Sequence, residues 1–287
     1  MTRKRFLMLE RKDALQTVID RTKSNLRTIH RSIQLCADRG WNYRIGSDII
    51  PLATLPEFMA DDGVQKVLAD PAVSRWCDDI LKLILLTDVR CSMHPDQFVV
   101  PASANKDTVI KAIHDLEFHA LMMDRFGLPK SHYSPINIHM NCFKGNTREI
   151  SFRFLKQFEK LSPNIQSRLV LENEDKLNSW SVNSLIKHFG GMEIPITYDN
   201  LHHKCNPDGL DAHTAMTKCM DTWPTNTHPL FHFSDSIPAY KNLRAHADYV
   251  SNIPSEYRAL GKLVDLDFEF KMKDLAIERF QKEIDIV

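Results

Sequence analysis

Six short, mostly apolar runs in this chain each end in a side chain that binds metal. Asn137-Ile138-His139 ends in His, Leu169-Val170-Leu171-Glu172 in Glu, and Ile196-Thr197-Tyr198-Asp199 in Asp, with His202 three residues further on. Val89-Arg90-Cys91-Ser92-Met93-His94, Phe231-His232 and Val264-Asp265-Leu266-Asp267-Phe268-Glu269 follow the same rule. A single His at a strand end is more often a surface or satisfied core residue than a ligand. Repetition of the placement in successive units makes a shared metal centre the better reading. His together with Asp and Glu suits Zn, Mn, Fe or Co, whereas a set without His suits Mg or Ca better. Glu172 sits in the middle of the strand order, and its two oxygens can bridge two ions. Asp199 and His202 are three apart, so a strand that ends there and turns can send them to neighbouring ions. His203 is expected to point away from the site. His246, in Ala245-His246-Ala247-Asp248-Tyr249, is a further candidate on a loop.

Cationic side chains near these ends are candidates for an anionic substrate. Lys271 and Lys273 alternate just after Glu269 and can hold phosphate. Arg44, at the end of Tyr43-Arg44-Ile45-Gly46-Ser47, can bind an anion or pair with a ligand carboxylate. His30, His114, His119, His132, His188, His213 and His228 fall on helix-like or polar stretches and are read as solvated. The sequence shows no convincing Ser or Cys triad.

Ligands far apart in sequence need a fold that gathers strand ends. Strand and helix signals alternate along the chain, which implies a parallel sheet. Apolar residues recur at helical spacing over 11–38, and Gly40 is a stop signal. Residues 56–85 read as helix with a break at Pro71, and 104–127 as a strongly amphipathic helix. Further helices are expected over 147–160, 179–189 and 210–221, and after about residue 270. Strands are expected near 43–47, 89–94, 136–139, 169–172, 195–199, 230–234 and 264–270, with a loop-rich stretch before 260. This is the pattern of a TIM-type (β/α)8 barrel, whose active site lies at the carboxyl ends of the strands. Seven strands can be counted, and Phe6-Leu7-Met8-Leu9 is the candidate for another. No linker divides residues 1–287, so one barrel domain is expected.

The composition is that of a globular protein, with 43% hydrophobic and 26% charged residues in a 287-residue chain. No apolar run is long enough to span a membrane. Glu10 and Arg11 interrupt the N-terminal apolar stretch too early for a secretion signal, so a cytoplasmic protein is expected, nucleoid-associated in a prokaryotic or viral setting. Lys plus Arg and Asp plus Glu both number 37, so any nucleic-acid contact needs positive charge concentrated on one face. The six cysteines form no C-x-x-C pair, which argues against structural zinc and for reduced thiols.

At His94-Pro95-Asp96-Gln97-Phe98 the chain begins to resemble the ultraviolet damage endonucleases. The likeness runs over roughly residues 25–280. It takes in Asn25-Leu26-Arg27, Tyr43-Arg44-Ile45-Gly46-Ser47 with Pro51, Asn137-Ile138-His139, Leu171-Glu172-Asn173 and Asp199-Asn200-Leu201-His202-His203. Phe231-His232-Phe233-Ser234, His246-Ala247-Asp248-Tyr249 and Glu269-Phe270-Lys271-Met272-Lys273-Asp274 continue it in order.

The resemblance implies a TIM barrel with up to three metal ions, commonly manganese, with Zn, Co or Mg as alternatives. It implies nicking of double-stranded DNA 5′ to photoproducts and some other lesions, leaving a 3′-hydroxyl and a 5′-phosphate. Carried over by motif, His94, His139 and Glu172 hold one ion. Glu172, Asp199, His232 and Glu269 hold a second, and His202 and His246 serve a third. Glu172, Glu269 and Lys271 are the candidate catalytic residues. Gln97 and Phe98 match a Gln-Tyr pair that wedges into DNA at the lesion, and Arg44, Lys271 and Lys273 join them as DNA contacts. A monomer with no obligate protein partner is expected.

The departures from the family pattern also carry information. Leu230 stands where the family has a Lys whose carbamylated form ligates metal, so two ions are expected rather than three. Leu55 precedes Pro56 where a His is frequent, and Met140-Asn141 replaces a glycine pair. The family opens with a strand ending in Gly-Tyr, and this chain begins after that point, so the first strand is expected to be missing or altered. Two other readings share many of these residues: a metal-dependent sugar isomerase or epimerase, and a lesion-binding homologue with impaired catalysis.

Overall fold

The helical periodicity after residue 10 becomes one long helix, and it stops where Gly40 takes φ 67°. That left-handed conformation is free of steric cost only without a Cβ. The computed structural model describes residues 1–143, 145–238, 240–260 and 263–284, with the side chains at 259, 260, 283 and 284 excepted. Its elements begin with α1 (Arg3–Met8), α2 (Arg11–Arg39), β1 (Tyr43–Ile45), α3 (Pro56–Met59), α4 (Gly63–Leu68), α5 (Pro71–Thr87) and β2 (Cys91–Met93). They continue with α6 (Lys106–Arg125), β3 (Ile136–His139), α7 (Thr147–Phe158), α8 (Pro163–Gln166), β4 (Leu169–Glu172), α9 (Val182–Phe189) and β5 (Ile196–Thr197). The last are α10 (Asn200–Cys205), α11 (Ala212–Met220), β6 (Leu230–Phe233), α12 (Ser255–Leu260), β7 (Asp265–Phe268) and α13 (Asp274–Ile284).

Contacts divide the chain into two units. The first comprises Met1–Val99, Asn105–Ile136 and Lys160–Arg168. Here β1 and β2 pair in parallel, with Arg44 opposite Ser92, and Met93 is in register with Ile136. Helix α2 packs along α5 and buries Val18, Leu26, Ile29 and Ile33. The buried Arg168 guanidinium is paired with Asp124 at 2.9 Å and donates to the carbonyls of Leu128 and Pro129.

The second unit comprises Val100–Ala104, Asn137–Glu159 and Leu169–Val287. Strands β4 and β5 pair in parallel, with Glu172 opposite Thr197. A bridge joins Asp199 to His232, and β6 runs parallel to β7 with His232 opposite Asp267. All four residues of β4 are buried, as expected of a strand covered on both faces. Polar N-caps start the helices that follow these strands: Asn146 for α7, Ser181 for α9, Asp199 for α10 and Asp211 for α11.

Several expectations need correction. Phe6-Leu7-Met8-Leu9 is not a strand. Thr2 caps a helix there, and Phe6 is buried edge-on against Phe58. Residues 56–85 form three helices, because Asp62 turns left-handed and Asp70-Pro71 starts a new helix with Asp70 as its cap. Helix α12 lies inside the stretch expected to be loop. His119 is not solvated: it is buried on α6, with Nδ1 2.8 Å from the Asp115 carbonyl. The six cysteines are thiols outside any disulfide, as expected, and five of them are buried. Among the described residues, no helix is long and apolar enough to cross a membrane.

Candidate metal centre

Glu172 is the hub of the second unit. It ends β4, is only 1% exposed, and accepts a short hydrogen bond from the Asn137 amide on β3. Three imidazoles surround it. His202 Nδ1 is 3.1 Å from Oε1, His232 Nδ1 is 3.2 Å from Oε2, and His139 Nε2 is 3.6 Å from Oε2. Burial favours the neutral acid, but the charges of His139 and His232 outweigh it and hold the Glu172 carboxyl well below its ordinary value.

Asp199 is fixed from both sides of its backbone. Its N–H donates to Asn173 Oδ1 at 2.8 Å, and Asn173 Nδ2 donates to its carbonyl at 3.0 Å. One carboxylate oxygen caps α10 by accepting the His202 N–H at 2.6 Å. The other, Oδ2, is buried and has no hydrogen-bond partner among the described residues. Burial pushes this carboxyl up to about 6; His202 opposes the shift, and Glu172 and Glu269 add to it.

The turn that puts His202 near Asp199 is the first turn of α10, where residues three apart share a face. Burial works against a charge on His202, yet Asp199 and Glu172 raise it well above the ordinary histidine value. His232 on β6 behaves alike: burial opposes its charge, but Glu172 and Glu269 raise it to about 9. Glu269 follows β7, held by its N–H on the Phe233 carbonyl at 2.9 Å, with Oε1 3.4 Å from His232 Nδ1. His246 hangs on the same residue, with Nδ1 2.7 Å from the Glu269 carbonyl.

Ligand atoms of Glu172, Asp199 and His232 lie within 4.8 Å of one another, and all three residues are buried. An isolated buried carboxylate costs several kcal/mol to desolvate. Two carboxylates, an imidazole and an orphaned Asp199 oxygen therefore suit a divalent cation, which would replace the imidazole protons as the positive charge.

The second unit thus gathers His139, Glu172, Asp199, His202, His232 and Glu269, with His246 attached through Glu269. Lys271 and Lys273 are exposed instead of packed against the carboxylates, and Lys273 sits at φ 48° in the turn before α13. In the first unit His94 follows β2, and Ser47 donates to its carbonyl at 2.9 Å. Arg44 lies in β1, Gln97 is exposed, and Phe98 is 76% exposed. His203 is buried beside the Tyr198 ring.

Sequence reasoning passed over the supporting groups. Asn137 and Asn173 flank ligands in the motifs but were given no role. Glu174 is buried and accepts the Asn141 N–H at 2.8 Å, which secures the turn after His139. Burial pushes its carboxyl up to about 7. The Tyr257 hydroxyl on α12 donates to the His232 carbonyl at 2.6 Å.

The fold and this site define a class, the TIM-type α/β barrel whose strand ends gather ligands for divalent metal. The family UV-endonuclease UvdE matches residues 1–287, and the chain belongs to it. This is a family of enzymes. The chain is 31% identical to the UV DNA damage endonuclease of Bacillus velezensis, across 97% of this chain and 85% of that one. The crystal structure of SacUVDE superposes with a TM-score of 0.81 at 28% identity, covering 95% of this chain and 90% of the other. Endonuclease IV from Thermus thermophilus shares the fold at a TM-score of 0.58 and 13% identity, over 90% and 95% of the two chains.

Proposed function

We propose that this chain nicks the DNA backbone 5′ to ultraviolet photoproducts and related lesions, using manganese held at the buried carboxylate–histidine centre. The observation that carries the reading is the convergence of Glu172, Asp199 and His232 in a chain of the UvdE family. A bound divalent ion supplies hydroxide near neutral pH and stabilises charge on the phosphoryl oxygens.

The chain's own residues do the rest. Glu172 would be shared between the ligand sets, with Asn137 fixing one of its carboxylate oxygens. Asp199, His232 and Glu269 complete one ligand set. His139 extends the cluster at the same Glu172 oxygen as His232, His202 extends it at the other, and the resemblance adds His94 and His246. Glu172 and Glu269 hold the charge against which water is positioned. Lys271, also a catalytic candidate, and Lys273 lie just beyond Glu269 and are exposed, so they are free to meet phosphates. Arg44, Gln97 and Phe98 are the remaining DNA contacts, with Gln97 and Phe98 opening the stack at the lesion. Unstacking costs a few kcal/mol and least at damaged bases, so a wedge selects lesions without reading sequence. Zn, Co and Mg are alternatives to manganese.

The test is direct. Purified protein with manganese should cut irradiated plasmid and spare the unirradiated form. Turnover of a sugar, with no nicking under any divalent metal, would replace this reading with an isomerase. Lesion binding without nicking would leave a homologue that has lost catalysis.

A further inference from the structure

His232 uses one ring nitrogen to face the carboxylates. Its Nδ1 is 3.2 Å from Glu172 and 3.4 Å from Glu269. Its other nitrogen, Nε2, faces away from them toward Asp267, with Oδ2 at 3.9 Å. The placement follows from strand register. His232 and Asp267 are partners across the parallel pair β6–β7, so their side chains leave the sheet on the same face. Asp265 and Asp267 alternate along β7 and share that face, and Glu269 comes just after the strand. Asp265 is opposite the aliphatic Leu230, and Glu269 lies on the Nδ1 side. Asp267 is the acid of this row that meets Nε2. Its Oδ2 is closed to solvent, and His232 is 1% exposed, so the two groups face each other in a low-dielectric setting.

An imidazole that gives one nitrogen to a metal must carry its proton on the other. A carboxylate at that N–H fixes the tautomer, orients the ring and makes the ligand nitrogen more basic. We propose that Asp267 is a positioning residue that holds His232 through Nε2–H, so that Nδ1 is presented to the metal. The inference rests on the metal-centre reading above. At 3.9 Å the pair is about 1 Å beyond hydrogen-bond length, so the proposal requires the ring and the carboxylate to draw together when metal is held.

Manganese affinity, read by titration against a competing chelator, tests the idea without an activity assay. Asp267→Leu keeps the volume and removes the acceptor, and it should weaken binding about 10- to 100-fold, the usual effect of removing such a partner. Asp267→Asn keeps an acceptor oxygen and should recover most of that loss. If the Leu variant does not fold, Asp267→Ala makes the same comparison without added bulk. Native affinity in the folded Leu or Ala variant overturns the proposal. So does an Asn variant as weak as the Leu variant, because the charge itself would then be needed, as in a direct ligand. His232→Ala is the control. If it leaves affinity unchanged, the metal-centre reading fails and takes this one with it. If it weakens binding while Asp267→Leu or Asp267→Ala does not, this inference alone fails.

Discussion

The carboxylates of the metal centre and the side chain of Phe98 break opposite rules. Glu172 and Asp199 are acids at 1% and 0% exposure, where charge is expensive. Phe98 is a large apolar ring at 76% exposure, where apolar surface is not buried. Neither arrangement serves the isolated chain. The buried acids call for positive charge, partly met by the imidazoles around them, and the exposed ring calls for a partner with a flat apolar face. A single exposed hydrophobe is ordinary, so Phe98 alone says little. Its place four residues after His94, where the resemblance implies a wedge and where we propose one, gives it weight. The first unit's Arg168 provides a second contrast, since it is buried but paired with Asp124 and bonded to two carbonyls. Asp199 Oδ2 has no such answer among the described residues.

The sharpest way to break the comparison is to remove the hub. Glu172→Gln keeps the shape and deletes the charge at the centre of the proposed two-ion ligand set. Nicking of irradiated plasmid should fall by roughly 10²–10³-fold, the range for losing one preorganised group where charge develops. His246→Ala removes a residue tied to the centre mainly through a backbone carbonyl, and should cost on the order of tenfold. Equal residual activity in the two variants, with metal content unchanged, would contradict the bridging role.

The exposed side of the comparison predicts a different signature. Phe98→Ala should lower discrimination between irradiated and intact duplex by about 5- to 150-fold, the worth of one stacked base at roughly 1–3 kcal/mol. Metal content and melting temperature should not move, because little packing is lost at so exposed a position. A clear drop in melting temperature with lesion preference intact would show that the ring serves the loop.

Metal analysis sharpens the buried side further. Leu230 is buried on β6 opposite Asp265 and offers no ligand at the position where the resemblance implies a Lys. The natural protein should hold nearer two ions than three per chain, and Leu230→Lys should raise the count if its amine is carbamylated. Three tightly held ions in the unaltered protein would refute this.

How much of this was legible depended on the kind of signal. Strand ends were readable because an apolar run followed by His, Asp or Glu is a local pattern, and β3, β4 and β6 lie where that pattern put them. The N-terminal run failed because four apolar residues do not distinguish strand from helix. The cap at Thr2 and the contact of Phe6 with the distant Phe58 decided it. His119 was misread because its helix is amphipathic with a broad buried face. The supporting groups stayed silent for a different reason. Asn137, Asn173 and Asp267 act across strands, and register between strands is not written in any one of them.

The last prediction concerns protons, and it follows from the charge the fold has buried. His232 is raised to about 9, so in the metal-free protein its proton stabilises the fold fully below the unfolded value near 6.5. That contribution is lost as pH rises through about 9. Asp199, raised to about 6, and Glu174, raised to about 7, act in the same direction. Each is favoured as the neutral acid, and its cost develops as pH rises from the ordinary carboxylate range to the folded value, so Asp199 acts up to about pH 6, Glu174 up to about 7 and His232 carries the fall above that. Metal reverses the sign at the ligands, because manganese competes with the protons of His232 and Asp199 and binding releases them. Each displaced proton adds up to about tenfold in affinity per pH unit while the group remains protonated in the metal-free form. The melting temperature of chelated protein should therefore fall between pH 6 and 9. The gap between manganese-loaded and chelated protein should widen over the same range. A gap that stays constant or narrows would mean that metal does not displace these protons, and that the buried acids are balanced by histidine alone.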